Sequence, residues 1–133
     1  MPAATAEDLA GIPLFDALEP DERAAIAPWF ELEDVSPGVN LTGEGASGYS
    51  FYVLRGGAAT VSIDGSEVRT LAPGDFFGEL ALLGDGRRTA TVTTVAPSQV
   101  LVLFGTEFRQ IQQEYPEIAE RIESGLREIA QVA

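Results

Sequence analysis

Apolar residues recur along this chain in two rhythms. Near both ends they fall three and four positions apart, as on one face of a helix. Through the middle they form short runs or alternate with polar residues, as in strands. Thr5 to Asp8 has the spacing of a capping box ahead of Leu9. Pro20, followed by Asp21 and Glu22, suits a first helical turn, and Pro28 should stop that helix near Ala27. Strands are predicted over residues 30–35, 50–55, 58–63, 67–71, 91–95 and 99–104, with a shorter one over 39–42. Asp64-Gly65 between two of them is a hairpin signal. From Thr106 the helical rhythm returns, and Pro116 fits the start of a last helix. There Ala119, Ile122, Leu126 and Ile129 make one apolar stripe, with Glu117/Arg121 and Glu123/Arg127 as i,i+4 pairs on the polar side. Many short strands with regular turns point to a sandwich, roll or barrel.

Composition narrows what such a fold can do. With 133 residues, 45% of them hydrophobic, the chain fits one domain with a real core. It carries 21 acids against 8 bases, all arginine, for a net charge of −13. Phosphate backbones and anionic membrane surfaces need clustered cations, so neither nucleic acid nor membrane is an expected partner of this chain alone. Cys and His are absent, which excludes disulfides, thiol chemistry, imidazole bases and His/Cys metal sites; no metal or cofactor is expected. No apolar run approaches the roughly 18 residues of a membrane span, and the N-terminus lacks a basic n-region, so a cytoplasmic location is expected. Asn40-Leu41-Thr42 spells a glycosylation sequon, coincidental without a secretion signal.

Gly43-Glu44-Gly45-Ala46-Ser47-Gly48 matches G-x-G-x-x-G. The dinucleotide-binding version needs a strand before it and a helix after it. Here a strand-like run follows, and Glu44 would face an anionic pyrophosphate. A tight turn between strands is the reading adopted.

The informative stretch is residues 76–92. Gly78 lets the backbone approach a ligand closely. Glu79-Leu80-Ala81-Leu82-Leu83 can form one or two helical turns, whose free amides attract an anion, before Gly84 ends them. Arg88 can pair with two phosphate oxygens, and Thr89 adds a hydroxyl. An acid beside an anion site, Glu79, makes sense if it meets a hydroxyl such as a ribose 2′-OH. Together these groups suit one anionic phosphate next to a sugar. At physiological salt, screening over about 8 Å makes these local groups count for more than distant carboxylates. The structural alternatives are a helix-start acid at Glu79 and a strand-edge surface arginine at Arg88. Arg87 reads as solvated, and Trp29 and the Phe residues as core.

Phe77-Gly78-Glu79-Leu80-Ala81-Leu82, five residues, then Arg88-Thr89-Ala90-Thr91-Val92 closely resembles the phosphate-binding cassette of the cyclic nucleotide-binding domain family. Catabolite activators and the regulatory subunits of protein kinase A belong to that family. Pro13-Leu14-Phe15, Pro37-Gly38, Gly45, residues 51–54, Gly57 and residues 71–75 resemble its N-terminal helix, turns and strands. The resemblance implies a mainly β fold, an eight-stranded jelly-roll β-roll (a double-stranded β-helix). N-terminal helices would occupy 1–29, the roll 30–104 with the cassette at 76–92, and C-terminal helices 105–133. It implies that Glu79 binds the ribose 2′-OH and Arg88 the cyclic phosphate, with amides of Gly78, Leu80, Ala81, Thr89 and Ala90 in support. The last helix resembles a hinge or lid that covers the base or joins a homodimer; Arg121 and Arg127 are its polar candidates. The implied function is regulatory and not enzymatic: binding of cAMP, the commoner ligand, or cGMP, passed through the last helix to a protein partner or output domain. Thr89 occurs in members of both preferences. Cupin-type enzymes share the barrel but bind metal through His. The alternatives are a ligand-free structural or interaction module, or a fragment of a transcription regulator or larger regulated protein, since no basic recognition helix is present.

Overall fold

Residues 51–54 and 100–103 are unbroken apolar runs because the sheet that holds them is buried on both faces. A computed structural model describes residues 3–42, 50–78 and 90–132 of the chain. Its strands are β1 (Glu31–Val35), β2 (Asn40–Thr42), β3 (Ser50–Gly56), β4 (Ala59–Ile63), β5 (Ser66–Leu71), β6 (Phe76–Phe77), β7 (Thr91–Thr94) and β8 (Ser98–Phe104). Among the described residues they form two four-stranded antiparallel sheets, ordered β1-β8-β3-β6 and β2-β7-β4-β5. This is the mainly β jelly roll with flanking helices that the sequence implied. Seven strands fall where expected, with ends shifted by a single residue. The addition is β6, too short for any periodicity to announce it.

Asp64 and Gly65 have φ of 53° and 78° and join Ile63 to its cross-strand partner Ser66. Two successive positive φ values make the two-residue turn whose twist suits a hairpin. The segment 43–48 lies outside the described residues. It runs from the end of β2 toward the start of β3, so the helix required by a dinucleotide-binding reading is replaced by a strand.

Helices close one side: α1 (Ala6–Leu9), α2 (Pro20–Ile26), α3 (Gly105–Glu114) and α4 (Pro116–Val132), with 3-10 turns at Pro13–Phe15 and Ala27–Trp29. The Asp8 carboxylate caps α1 by accepting from the Thr5 amide at 2.8 Å. The same carboxylate pairs with Arg55 on β3 at 3.0 Å, fastening the helix to the sheet. Pro20 opens α2, and the α-helix ends at Ile26 as Pro28 requires, although the chain winds on for one 3-10 turn. Arg23 donates to the carbonyls of Phe15 and Leu18, at 3.2 and 2.7 Å, and so satisfies the acceptors left by the first turns.

Alternate residues of β3 and β8 feed two separate cores. Phe51, Val53, Leu101 and Leu103 face the helices and join Leu9, Phe15, Ile26, Phe30, Phe108 and Ile111. Ile118, Ala119, Ile122 and Leu126 of α4 are buried in the same cluster. The apolar stripe therefore packs on the chain's own core; the side chain of Ile129 lies outside the described residues. Leu54, Val100 and Val102 point the other way. They meet Val35, Ala59, Leu71, Phe77 and Val92 inside the roll.

Candidate functional site

The turn after β5 places the start of the cassette. Pro73 and Gly74 occupy the middle of a turn closed by the Asp75 amide donating to the Ala72 carbonyl at 3.0 Å. The Asp75 carboxylate accepts from the Ala72 amide at 2.8 Å. Two further backbone bonds, Leu54 amide to Asp75 carbonyl and Gly74 amide to Leu54 carbonyl, at 2.8 and 2.7 Å, tie this turn to β3. The chain then runs as β6 along β3, Phe76 opposite Val53 and Phe77 opposite Tyr52. Gly78 follows with φ of 78°, a left-handed conformation that costs a residue with a Cβ roughly 1–2 kcal/mol. The left-handed backbone at the start of the cassette is thus written into a glycine.

Glu79, Leu80, Ala81, Arg88 and Thr89 lie outside the described residues. Gly78 and Ala90, both half-buried, flank them. Beyond Ala90 the chain enters β7, where Val92 lies opposite Val61 of β4 and Thr42 of β2. The cassette thus leaves an edge strand of one sheet and returns to an inner strand of the other. Phe77 on one flank and Val92 on the other are only 6% and 3% exposed, and both belong to the cluster inside the roll.

That cluster is not sealed. Leu41, Tyr52 and Val61 pack against it while remaining partly exposed. Tyr52 and Phe77 are stacked, with ring centroids 4.9 Å apart and planes 11° from parallel. The Tyr52 hydroxyl donates weakly to the Leu41 carbonyl at 3.4 Å. Sequence reasoning placed Leu41, Tyr52 and Val61 in strands and Phe77 at the start of the cassette, and did not foresee the stacked pair. The signal was the alternation in β3, which sends Tyr52 to the face opposite Phe51.

Of the two lid candidates, Arg121 is paired with the Glu22 carboxylate on α2, not with Glu117. Glu22 is held below the ordinary glutamate range, first by the Glu19 amide it accepts from and then by Arg121. Arg127 is exposed on α4, and Glu123 accepts from Gln112 at 2.7 Å. Burial pushes Glu107 up, the Phe104 amide opposes this, and Glu31 adds to it. All these groups sit on the helical side of the molecule. A cavity of about 380 Å³ there is lined by Ala17, Glu117, Glu120, Arg121, Ser124, Gly125 and Glu128. Three carboxylates against one already paired guanidinium make it unsuited to a phosphate. Among the described residues no cluster of three or more acids could hold a metal ion, and no helix is long and apolar enough to cross a membrane.

Comparison with known proteins agrees with this fold. The family model described as the cyclic nucleotide-binding domain matches residues 32–115. A cAMP-dependent protein kinase regulatory subunit of Colletotrichum orbiculare is 39% identical over 102 residues, covering 75% of this chain and 26% of that protein. A cGMP-dependent protein kinase of Toxoplasma gondii is 40% identical over 85 residues, covering 64% of this chain and 9% of that protein. The solved catabolite activator protein of Thermus thermophilus superposes with a TM-score of 0.76 at 25% identity, covering 90% of this chain and 58% of that one. The chain spans about a quarter or less of the length of the curated relatives it matches.

Proposed function

The chain belongs to the cyclic nucleotide-binding domain family, and from that premise we propose that it is a sensor, not a catalyst, that binds cAMP in preference to cGMP at the mouth of the roll. One observation carries the placement. The two flanks of the cassette, Phe77 and Val92, are rooted in one apolar cluster, and the cassette is where the sequence sets Glu79 and Arg88. The ligand's single phosphate charge pairs with Arg88 and with amides of Gly78, Leu80, Ala81, Thr89 and Ala90. Glu79 accepts from the ribose 2′-OH. The purine lies toward the half-exposed Leu41, Tyr52 and Val61, which supply an apolar surface. Arg121 reaches a nucleotide only by leaving Glu22, so Arg127 is the lid candidate on α4 that keeps the structure as it stands.

Output passes through α4 to a partner of the kind that regulatory subunits imply. The apolar stripe of α4 is already buried in its own chain. A homodimer through this helix would have to use the outer face bearing Glu117, Glu120 and Glu128, where like charges oppose it, so a different protein is the favoured partner.

Calorimetry against cAMP, cGMP and 5′-AMP tests the reading. A saturable heat with a cyclic nucleotide is expected, and a weaker one with 5′-AMP, whose phosphate carries a second charge and no ring. At a hundredfold excess over Kd the ligand adds about 2.7 kcal/mol to stability, which raises Tm by several degrees. No heat and an unchanged Tm with both cyclic nucleotides would favour the ligand-free module instead.

A further inference from the structure

One face of α4 is buried; the other carries charges that its own helix does not pair. Glu117, Glu120 and Glu128 are exposed and, among the described residues, have neither an ion pair nor a side-chain hydrogen bond. The i,i+4 partner of Glu117, Arg121, is taken by Glu22 on α2. Glu120 and Glu128 each have Ser124 four positions away, where a cation would have paired with them. Glu117 and Glu120, three positions apart, are neighbours of like charge. These acids line a hollow: the cavity of about 380 Å³, whose other lining includes the small residues Ala17, Ser124 and Gly125. Gly125 weakens a helix interior, and its place is explained by close approach. A Cβ there would stand 3.1 Å from Leu14 Cδ1 in the 3-10 turn Pro13–Phe15. Eleven residues separate Glu117 from Glu128, about 17 Å along the axis. That is longer than one side chain and suits a segment of polypeptide better than a lone ion.

We propose that this groove along α4 is the docking site for an arginine-bearing segment of the output partner. The inference rests on the reading that output leaves through α4 and adds the partner's chemistry to it. Charge selects the occupant. A second copy of a chain with net charge −13 is repelled from three unpaired carboxylates, and so is a phosphate. Arginine suits them better than lysine, because its planar fork of donors can bridge two carboxylates at once. Ala17, Ser124 and Gly125 leave room for the apolar stem of such a side chain. Arg121 stays with Glu22 and closes off one of the acids on α2. Exposed ion pairs each contribute little, so docking is modest in strength and sensitive to salt.

The probe is an alanine-based helical peptide with arginines three and four positions apart, labelled for fluorescence anisotropy and titrated with the whole chain at low salt. Saturable binding is expected. Replacing Glu117, Glu120 and Glu128 together by glutamine should weaken it by about tenfold. The charge-matched control replaces Glu7 on α1, Glu33 on β1 and Glu67 on β5 by glutamine, and should bind within about twofold of the unaltered chain. Ser124→Phe leaves every charge in place but fills the hollow, and should also weaken binding by about tenfold. Equal losses in the two triple variants would mean that net charge alone attracts the peptide, and would overturn the proposal. So would a Ser124→Phe variant that binds as the unaltered chain does, or an unaltered chain that does not bind the peptide at all. Calorimetry with cAMP and cGMP on the same samples keeps the two readings apart. Nucleotide heat without peptide binding removes the groove alone; peptide binding as described without nucleotide heat removes the sensor reading and leaves the groove.

Discussion

Phe51 and Tyr52 are neighbours in β3, yet Phe51 is sealed beneath the helices while Tyr52 stays half exposed inside the roll. The two cores differ chiefly in size and in what builds them. The helix-facing core gathers residues from α1, α2, α3, α4, β3 and β8 and locks its aromatic rings edge to face at Phe15 and Phe30, with Trp29, Leu32, Phe76 and Tyr115 packed against it while partly exposed. The inner core is smaller. Three of its neighbours, Leu41, Tyr52 and Val61, keep part of their apolar surface in contact with solvent. One strand thus feeds a core under the helices and a second core inside the roll. The strand's period of two residues assigns each side chain to one task.

Perturbing the two faces separately should give opposite signatures. On the helical face, Phe51→Ala removes a fully buried ring and should cost about 3–5 kcal/mol of stability, seen as a large drop in Tm. The fraction that stays folded should bind nucleotide with nearly unchanged Kd. At the ligand site, Arg88→Ala should reverse this. Truncating one side of a buried charge pair costs about 2–5 kcal/mol of binding, or roughly thirtyfold to several thousandfold in Kd by calorimetry, with the ligand-free Tm little changed. Arg87→Ala should have a far smaller effect; equal losses at both would mean that the register of the cassette is misassigned. Gly78→Ala imposes about 1–2 kcal/mol of backbone strain at φ of 78°. It should weaken binding by about tenfold, sharpening the claim that the cassette depends on how the chain leaves β6.

The smallest effect is expected at the ion pair between α2 and α4. Arg121→Ala removes an exposed partner of Glu22 and should shift Tm by no more than a few degrees. Its pH dependence is informative. Glu22 is held below its ordinary value of 4.5 in the folded chain, so it contributes stability above that value, which is lost as pH falls through the lowered folded value. Arg121→Ala should shrink this acid-side loss. Glu107 is held above 4.5, chiefly by burial, and has the opposite sign: its ionised form weakens the fold at higher pH, and protonation relieves the cost as pH falls through the raised value. Glu107→Gln should therefore raise Tm slightly at neutral pH and leave it unchanged at low pH. Thermal melts between about pH 3 and pH 7 would check both signs.

Much of this architecture was legible along the chain because it rests on local rules. Asp64-Gly65 declared its turn through backbone sterics, and Pro20 and Pro116 marked helix starts through the donor they lack. The strand runs emerged from composition and punctuation. Three things were not local. Arg121 found Glu22, ninety-nine positions away in sequence, where the i,i+4 rule could see only Glu117. β6 exists because β3 is there to receive it, and two residues have no period. The partial exposure of Tyr52 inside the roll depends on how far its neighbours cover it, and that is fixed only when both cores are assembled. The site's chemistry was legible as the spaced pair of Glu79 and Arg88, whose own placement lies outside the described residues.

Amide hydrogen exchange, with and without the tighter-binding of cAMP and cGMP, tests the central claim most directly. A ligand seated at the mouth of the roll predicts slowed exchange across residues 78–90, a smaller slowing in α4 as it responds, and no change in the amides of β8 beneath the helices. Unchanged exchange over residues 78–90, with protection confined to α4 and the acidic cavity beside it, would contradict the account.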